Sequence, residues 1–544
     1  MTAKTANKKN DSMEGVSKLA HKVVPAVLLL SAFVQIILPA EADKGWLLYV
    51  ARMVLQGRRL YADIIEVNPP LIIWFYEIPV WLSMHTSLKD FEWLGLIGVV
   101  LSLLSSGVCF LLMRLHPAFE GNRKEQFKFG LLILLIILFY NTQIYFFDRD
   151  HIFLVFAMPY LLGLMPGFDG RRIPLALRIV IGMMGIIGFC IKPHTIIVFI
   201  IVQLFTMLRL RSYASLWRLE TLIIGAGAIV YGLCIQHFAP EYFATILPMA
   251  IATYSQFGNP SASYAYLPGA AVFGGLVFAD FRIWHVTPYR RDVYYMLMLC
   301  FAFLGYALAQ NGWGYTYNPL YCILLLATGW MMWEYLWLKK DHDARDLPSK
   351  RFGFGMRGCF LVFATQGMYM VAYLAVMVSS ASTMRAPCEG EECWKSGPYT
   401  EYILKHNVHS FGTISLDFSN WVLMQRITKT RWDTRFNHLW MLPRLVKDAK
   451  EGKTDHRDIL DYIGKAYAED FNTRKPEIVL VDNSPGFIGK SPPLDYPKFL
   501  SAVPEFKAAW THYRYAETLG ECRPNISSDM VTSECKYDVF VRIP

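Results

Sequence analysis

The residues best suited to chemistry begin just beyond the first apolar run. Glu41-Ala-Asp43-Lys44-Gly45 leads on to Tyr61-Ala-Asp63-Ile-Ile-Glu66-Val67-Asn68-Pro69-Pro70. A carboxylate at a water–lipid interface stays ionised. If it also faces a groove between helices, it suits a base that takes a proton from an incoming hydroxyl or amine. Asp43 is the residue so placed. Asp63 and Glu66 precede a rigid turn, because the two prolines fix backbone φ. They suit supporting roles: capping, ligating a divalent ion, or ordering Arg58 and Arg59. The plain alternatives are that Glu41 and Asp43 end the apolar run by staying in water, and that Asp63 and Glu66 make only local caps and ion pairs.

Cations follow at two further points. Phe147-Asp148-Arg149-Asp150-His151 sits between two apolar runs, where charge must be paired or bind a ligand. The planar fork of Arg149 can grip phosphate oxygens. Asp150 and His151 can hold an ion or position Asp43, the alternative being a salt bridge at a helix end. Lys192-Pro193-His194 repeats the pattern. There a lysine point charge and a histidine would clamp a phosphate or pyrophosphate, unless Lys192 only snorkels to lipid headgroups. Gln310-Asn-Gly-Trp313-Gly-Tyr315-Thr-Tyr-Asn-Pro319 is polar and aromatic without charge. Trp313 and Tyr315 would line a sugar or lipid groove, or serve as interface anchors.

These positions need a scaffold that brings them together, and the composition supplies one. The chain has 544 residues, 54% of them hydrophobic, and a mean hydropathy of +0.29, too apolar for an ordinary soluble enzyme. About eleven apolar runs approach the ~20 residues a helix needs to cross a bilayer. They lie near 22–40, 91–113, 129–147, 151–167, 174–191, 194–208, 219–236, 267–281, 293–310, 318–338 and 358–379. The short ones at 151–167, 194–208 and 267–281 fit helices broken around a buried site. The first run is too long, and too poorly followed by small residues, to read as a cleaved signal.

Basic residues set the orientation. Lys4, Lys8, Lys9, Lys18 and Lys22 in the tail, and the loops with Arg123, Arg171, Arg209, Arg290 and Lys339, mark the cytoplasmic side. The loops near 237–266 and 311–317 carry no Lys or Arg. Every candidate above then falls on the outer side. The first outer loop breaks the trend with Lys44, Arg52, Arg58 and Arg59, which suggests a local job such as holding an anion. The formal net charge of +9 is spread over loops and does not point to nucleic acid.

Residues 44–56 place apolar side chains at helical spacing and read as an amphipathic helix along the membrane. Gly57 should end it, and Pro69-Pro70 should open another through Leu82. A further interfacial element is expected over 239–253, bent at Pro248. Beyond about 380 the chain turns polar. Residues 411–417, 477–482 and 536–543 alternate like strands, and 455–469 and 503–518 look helical, giving a soluble α/β domain. Of ten cysteines, Cys388, Cys393, Cys522 and Cys535 lie in that domain. Four in an oxidising compartment suggest two disulfides. Cys388–Cys393 with Cys522–Cys535 makes the smallest loops, but the other pairings remain open. A metal at Cys388 and Cys393 is a weaker reading. The chain thus divides into a tail over 1–21, a transmembrane part over 22–380 and an outer domain over 381–544.

Taken together, Asp43, Tyr61-x-Asp63, Asn68-Pro69-Pro70-Leu71, Asp148-Arg149-Asp150-His151, Lys192-Pro193-His194 and Gln310-x-Gly312-Trp313-x-Tyr315 resemble the GT-C membrane glycosyltransferases. The similarity is to the bacterial aminoarabinose transferases of lipid A and the protein O-mannosyltransferases, and it covers about 22–380. It implies a polytopic helical GT-C fold in the bacterial inner membrane, with outer-surface amphipathic helices and the C-terminal domain in the periplasm. It implies a polyprenyl-phosphate-linked sugar as donor and an envelope glycan, lipid or protein as acceptor. Asp43 would be the base, supported by Asp63, Glu66 and Asp150. Arg149, Lys192, His194 and Arg58 would hold the phosphate, and direct displacement would invert the anomeric carbon. The charged pair that the family commonly carries before the prolines is here Val67-Asn68, with Glu66 a partial substitute. A divalent cation at Glu66 and His151 stays open. A lipid-linked polysaccharide polymerase or ligase, or a polytopic transporter, is the competing reading.

Overall fold

The computed structural model describes residues 42–137, 146–256, 290–310, 314–341, 398–416, 421–483, 494–522 and 535–543, with a few helical positions between 29 and 36. Helix α1 (Ala42–Leu55) forms where its spacing predicts, but it buries all of Trp46, Leu47, Leu48, Tyr49, Val50 and Ala51 and leaves Met53 and Val54 partly exposed, so its middle is enclosed on every face and is not an amphipathic stripe. The chain leaves it through Gly57, whose φ of +92° favours a residue without Cβ. Helix α2 (Pro70–His85) opens on Pro70, where a missing N–H costs nothing. Helix α3 (Asp90–Arg114) follows, its start fixed by a Lys89 N–H donated to Glu92 Oε2 at 2.7 Å.

The bundle continues with α4 (Arg123–Leu135), α5 (Arg149–Gly163), α6 (Leu175–Cys190), α7 (Thr195–Leu210), α8 (Leu219–Phe238), α9 (Leu247–Thr253), α10 (Arg290–Leu308) and α11 (Asn318–Asp341). Every residue of α5 is buried, so this helix, apolar on all sides, is the centre of the bundle. Its neighbour α6 approaches very closely: a Cβ on Gly188 would lie 2.8 Å from the Ala157 backbone nitrogen. Small residues at such contacts let membrane helices pack backbone to backbone.

Among the described residues, three helices are long and apolar enough to cross a membrane: Asp90–Arg114, Leu219–Phe238 and Arg291–Leu308. Shorter apolar helices occupy Leu175–Cys190, Thr195–Leu210, Tyr242–Thr253 and Asn318–Met331. The expected count of about eleven spans is therefore not established. The runs at 267–281 and 358–379, and most of 22–40, lie outside the described residues. The interfacial element after Pro240 is helical, but Pro248 does not bend it midway. It sits in the first turn of α9, where a π-helical turn over Tyr242–Ile246 passes into α-helix.

The C-terminal domain comprises α12 (Pro398–Lys405), β1 (Ser410–Ile414), α13 (Trp421–Thr428), β2 (Arg431–Trp432), α14 (Leu442–Lys450), α15 (Arg457–Thr473), β3 (Ile478–Asp482), α16 (Tyr496–Leu500), α17 (Pro504–Trp510), β4 (Tyr513–Cys522) and β5 (Cys535–Arg542). The sheet order is β2-β1-β3-β5-β4, parallel across the first three strands and antiparallel at β5 and β4. The helix expected over 503–518 ends at Trp510. From Tyr513 the chain pairs with β5, and Trp510 packs its ring on Tyr513 and Phe540. The expectation of two disulfides finds no support among the described residues. Cys388 and Cys393 lie outside them, while Cys522 and Cys535 are register partners on β4 and β5.

This domain packs on the first loop. Ile65 bridges to Phe436, its N–H donating to Arg435 O at 2.8 Å. Arg435 also donates to Ala62 O, and Arg474 to Asp63 O. Arg52 and Arg426 share the buried Asp90 carboxylate, and Trp432 lies against Trp46 and Tyr49.

Candidate active site

Four parts of the chain deliver side chains to one end of the bundle. The first turn of α1 carries Asp43. The loop into α2 carries Glu66 and Asn68. The start of α5 carries Asp148, Arg149, Asp150 and His151. The connection of α6 to α7 carries Lys192 and His194, facing the end of α10 with Tyr306 and Gln310.

Local folding explains the α5 start. Asp148 is its N-cap, accepting from the N–H groups of Asp150 and His151 at 3.0 Å each, so two otherwise orphaned donors are satisfied. Before it, Phe147 adopts φ +59°, a strained setting for a bulky residue. It is held from three sides. Its carbonyl accepts from Tyr76 OH at 2.9 Å, its N–H donates to His151 Nδ1 at 2.8 Å, and His151 Nε2 bonds Ile137 O at 2.8 Å. His151 therefore braces the turn, and neither ring nitrogen is left for an ion. Glu66 is likewise engaged at both oxygens, by Trp46 Nε1–H and by the N–H and side-chain amide of Asn68. Burial raises the Glu66 carboxyl above its ordinary range, against the pull of the Asn68 N–H and of Arg149. Among the described residues no group of three His, Cys, Asp or Glu is arranged to hold a metal ion, and this Glu66–His151 pair does not fit one.

Arg149 is the hub. One guanidinium nitrogen donates to Asn68 Oδ1 and another to Asp43 Oδ2. The arginine side chain is 6% exposed and the aspartate 31%, so the carboxylate forms the open edge of the pair. The next residue, Asp150, takes Lys192 Nζ at 2.7 Å on one oxygen and Tyr306 OH on the other. Lys192 also donates to Gln310 Oε1. His194 lies beside this pair, with its Nδ1 buried and unpartnered. Tyr254 reaches the same charges from the element after α9. Burial pushes its hydroxyl up to about 12, with Arg149 lowering it and Asp43 and Glu66 raising it.

The structure forms two bonded sets from consecutive residues of α5, Asp43–Arg149–Asn68–Glu66 and Lys192–Asp150–Tyr306, with His194 beside the second. Asp63 is not among them. Burial raises its carboxyl, but its bonds to Arg59 outweigh this and hold it below the ordinary range. Arg474 of the C-terminal domain stands 3.9 Å away, so Asp63 is engaged both by its neighbour Arg59 and by the C-terminal domain. Arg58 lies past the end of α1 near Tyr49, apart from this set of bonds. Glu41 and Trp313 lie outside the described residues, and Tyr315 is placed only by its backbone, in a short turn over Gly314–Tyr317. Sequence reasoning passed over Asn68 as a site residue, and Trp46, Tyr306 and Gln310 as bracing ones. Asn68, directly before the proline pair, carried the one available signal.

A partly exposed carboxylate bonded to a buried guanidinium, with a buried ammonium on the next aspartate of the chain, is a set in which the carboxylate can take a proton and the cations can neutralise developing anionic charge. No protein-family model and no curated protein matches the chain. Solved structures do. The chain superimposes on ArnT from Cupriavidus metallidurans in the apo state with a TM-score of 0.51 at 12% identity, covering 96% of this chain and 98% of that one. For ArnT bound to undecaprenyl phosphate the TM-score is 0.50 at 12% identity, with 95% and 97% covered. Along nearly its whole length the chain has the fold seen in the ArnT structures, here a helical bundle followed by a C-terminal sheet-containing domain.

Proposed function

We propose that this protein transfers a glycosyl group from a polyprenyl-phosphate-linked sugar to a glycan, lipid or protein acceptor on the outer side of the bacterial inner membrane. The N-terminus is then cytoplasmic and the C-terminal domain periplasmic. Asp43 accepts the proton of the acceptor hydroxyl or amine. The freed lone pair attacks the anomeric carbon from the face opposite the phosphate. The bond between that carbon and the phosphate oxygen breaks, and its electrons leave with the polyprenyl phosphate. The leaving group gains negative charge as it departs, which Arg149 and Lys192 offset. One displacement inverts the anomeric centre.

The observation that carries this reading is the meeting of Asp43 and Arg149, 106 positions apart in sequence, with Lys192 one residue's contact away. The ArnT fold supports it, as does the undecaprenyl phosphate bound to that relative. The test is reconstitution of the purified full-length protein in vesicles with polyprenyl-phosphate-linked sugars and envelope lipid, glycan and protein fractions. The expected result is free polyprenyl phosphate together with a glycosylated acceptor of inverted configuration. Donor that stays intact with every fraction overturns the proposal.

A further inference from the structure

The cations at this site are already matched. Arg149 faces Asp43 and Lys192 faces Asp150, while Lys44 donates to Phe146 O at 3.1 Å. Glu66 and Asp148 add two more buried carboxylates close by. A phosphate cannot simply be added to such a set, because the edge of Arg149 nearest the opening is already taken by the Asp43 carboxylate, which must give way to a second anion. The geometry shows that it can. The Asn68 edge of Arg149 is closed, since Asn68 is buried and pinned by Glu66, which Trp46 pins in turn. The Asp43 edge is open, since Asp43 has the most exposed side chain of these carboxylates.

We propose that Asp43 is the resting counter-ion of Arg149 and that the phosphate of the donor displaces it. Resting on the function proposed above, this makes donor binding the event that frees the base. While Arg149 holds Asp43 Oδ2, that oxygen is turned to the guanidinium and not to an acceptor hydroxyl or amine. Once phosphate oxygens take the Nη2 edge, Asp43 turns to the acceptor hydroxyl or amine and takes its proton. After transfer the polyprenyl phosphate leaves, Asp43 returns the proton to water, and the Asp43–Arg149 pair re-forms. Donor therefore binds before acceptor, and an enzyme without donor does not present an active base to other nucleophiles.

The experiment is equilibrium binding of a polyprenyl phosphate carrying no sugar to the purified full-length protein in lipid nanodiscs. Wild type is compared with Asp43→Asn, Arg149→Gln and the double variant, and Asp43→Ser repeats the test with a shorter neutral side chain. Competition predicts that Asp43→Asn and Asp43→Ser bind roughly tenfold more tightly than wild type, a coupling of ordinary size. It also predicts that this gain disappears in the Arg149→Gln background. Equal affinities for wild type and both Asp43 variants overturn the proposal. A gain that persists without Arg149 also overturns it, since that outcome is general charge repulsion. Absence of binding by every variant overturns the function on which the proposal rests.

Discussion

Both ends of the helical bundle bury ion pairs, but in opposite senses. At the far end, Glu220 is 3% exposed and held by Arg178 and Arg218, which are 30% and 24% exposed. Asp292 there is buried between His116 and the Gly167 N–H. The carboxylates are inside and saturated, while the arginines reach toward water, as long cationic side chains do at a membrane edge. At the site end the order is reversed, with Arg149 buried and Asp43 partly open. A buried ion pair by itself only closes a helix end. One whose carboxylate is partly exposed and whose guanidinium is locked behind it leaves an edge that an incoming ligand can reach.

That contrast can be broken by substitution, and the largest effect is expected at its hub. Arg149→Gln removes the cation that holds both Asp43 and Asn68. Turnover should fall on the order of a thousandfold or more, read as polyprenyl phosphate released per enzyme. Lys192→Gln leaves Asp150 with Tyr306 and should cost roughly a hundredfold in kcat, with a smaller change in KM. Glu220→Gln, at the closed end, should do the reverse. Activity stays within about twofold of wild type, while thermal unfolding in detergent reports a loss of roughly 1.5–3 kcal/mol for the unpaired arginines. A Glu220→Gln enzyme that is stable but inactive would erase the distinction between the two ends.

The smallest effect belongs to the C-terminal domain. Burial lowers His438 to about 3, so the folded protein keeps it neutral where the unfolded chain would protonate it. Its contribution is full above the unfolded value near 6.5 and is lost as pH falls below that. The midpoint of thermal unfolding should drop by a few degrees between pH 7.5 and pH 5, and His438→Gln should flatten that slope.

What the chain reveals unaided follows the strength of local signals. Helices α1 and α2 are legible because Trp46, Leu47 and Val50 repeat at helical spacing ahead of Gly57, and Pro69-Pro70 marks the next start. Strands β1, β3 and β5 are legible too, though every residue of β1 and β3 is buried where an alternation of faces was expected. Strand β2 is two residues long and carries no pattern, and β4 was read as the tail of a helix because its strand character depends on pairing with β5. At the site, charge in apolar surroundings singled out Asp43, Arg149, Asp150 and Lys192. Neutral partners such as Asn68, Tyr306 and Gln310 look like any polar or aromatic residue until the bundle closes around them. The contact of Asp63 with Arg474, 411 positions away, depends on how the C-terminal domain docks, and no local signal foreshadows it.

The central claim is that one partly exposed carboxylate, Asp43, paired at rest with a buried guanidinium, carries the proton transfer. Single-turnover release of polyprenyl phosphate from a polyprenyl-phosphate-linked sugar, measured for wild type and Asp43→Asn, tests it most directly. The account predicts a loss of about 10²–10⁴-fold in a variant that remains folded and still binds polyprenyl phosphate. Wild-type turnover by Asp43→Asn would contradict it.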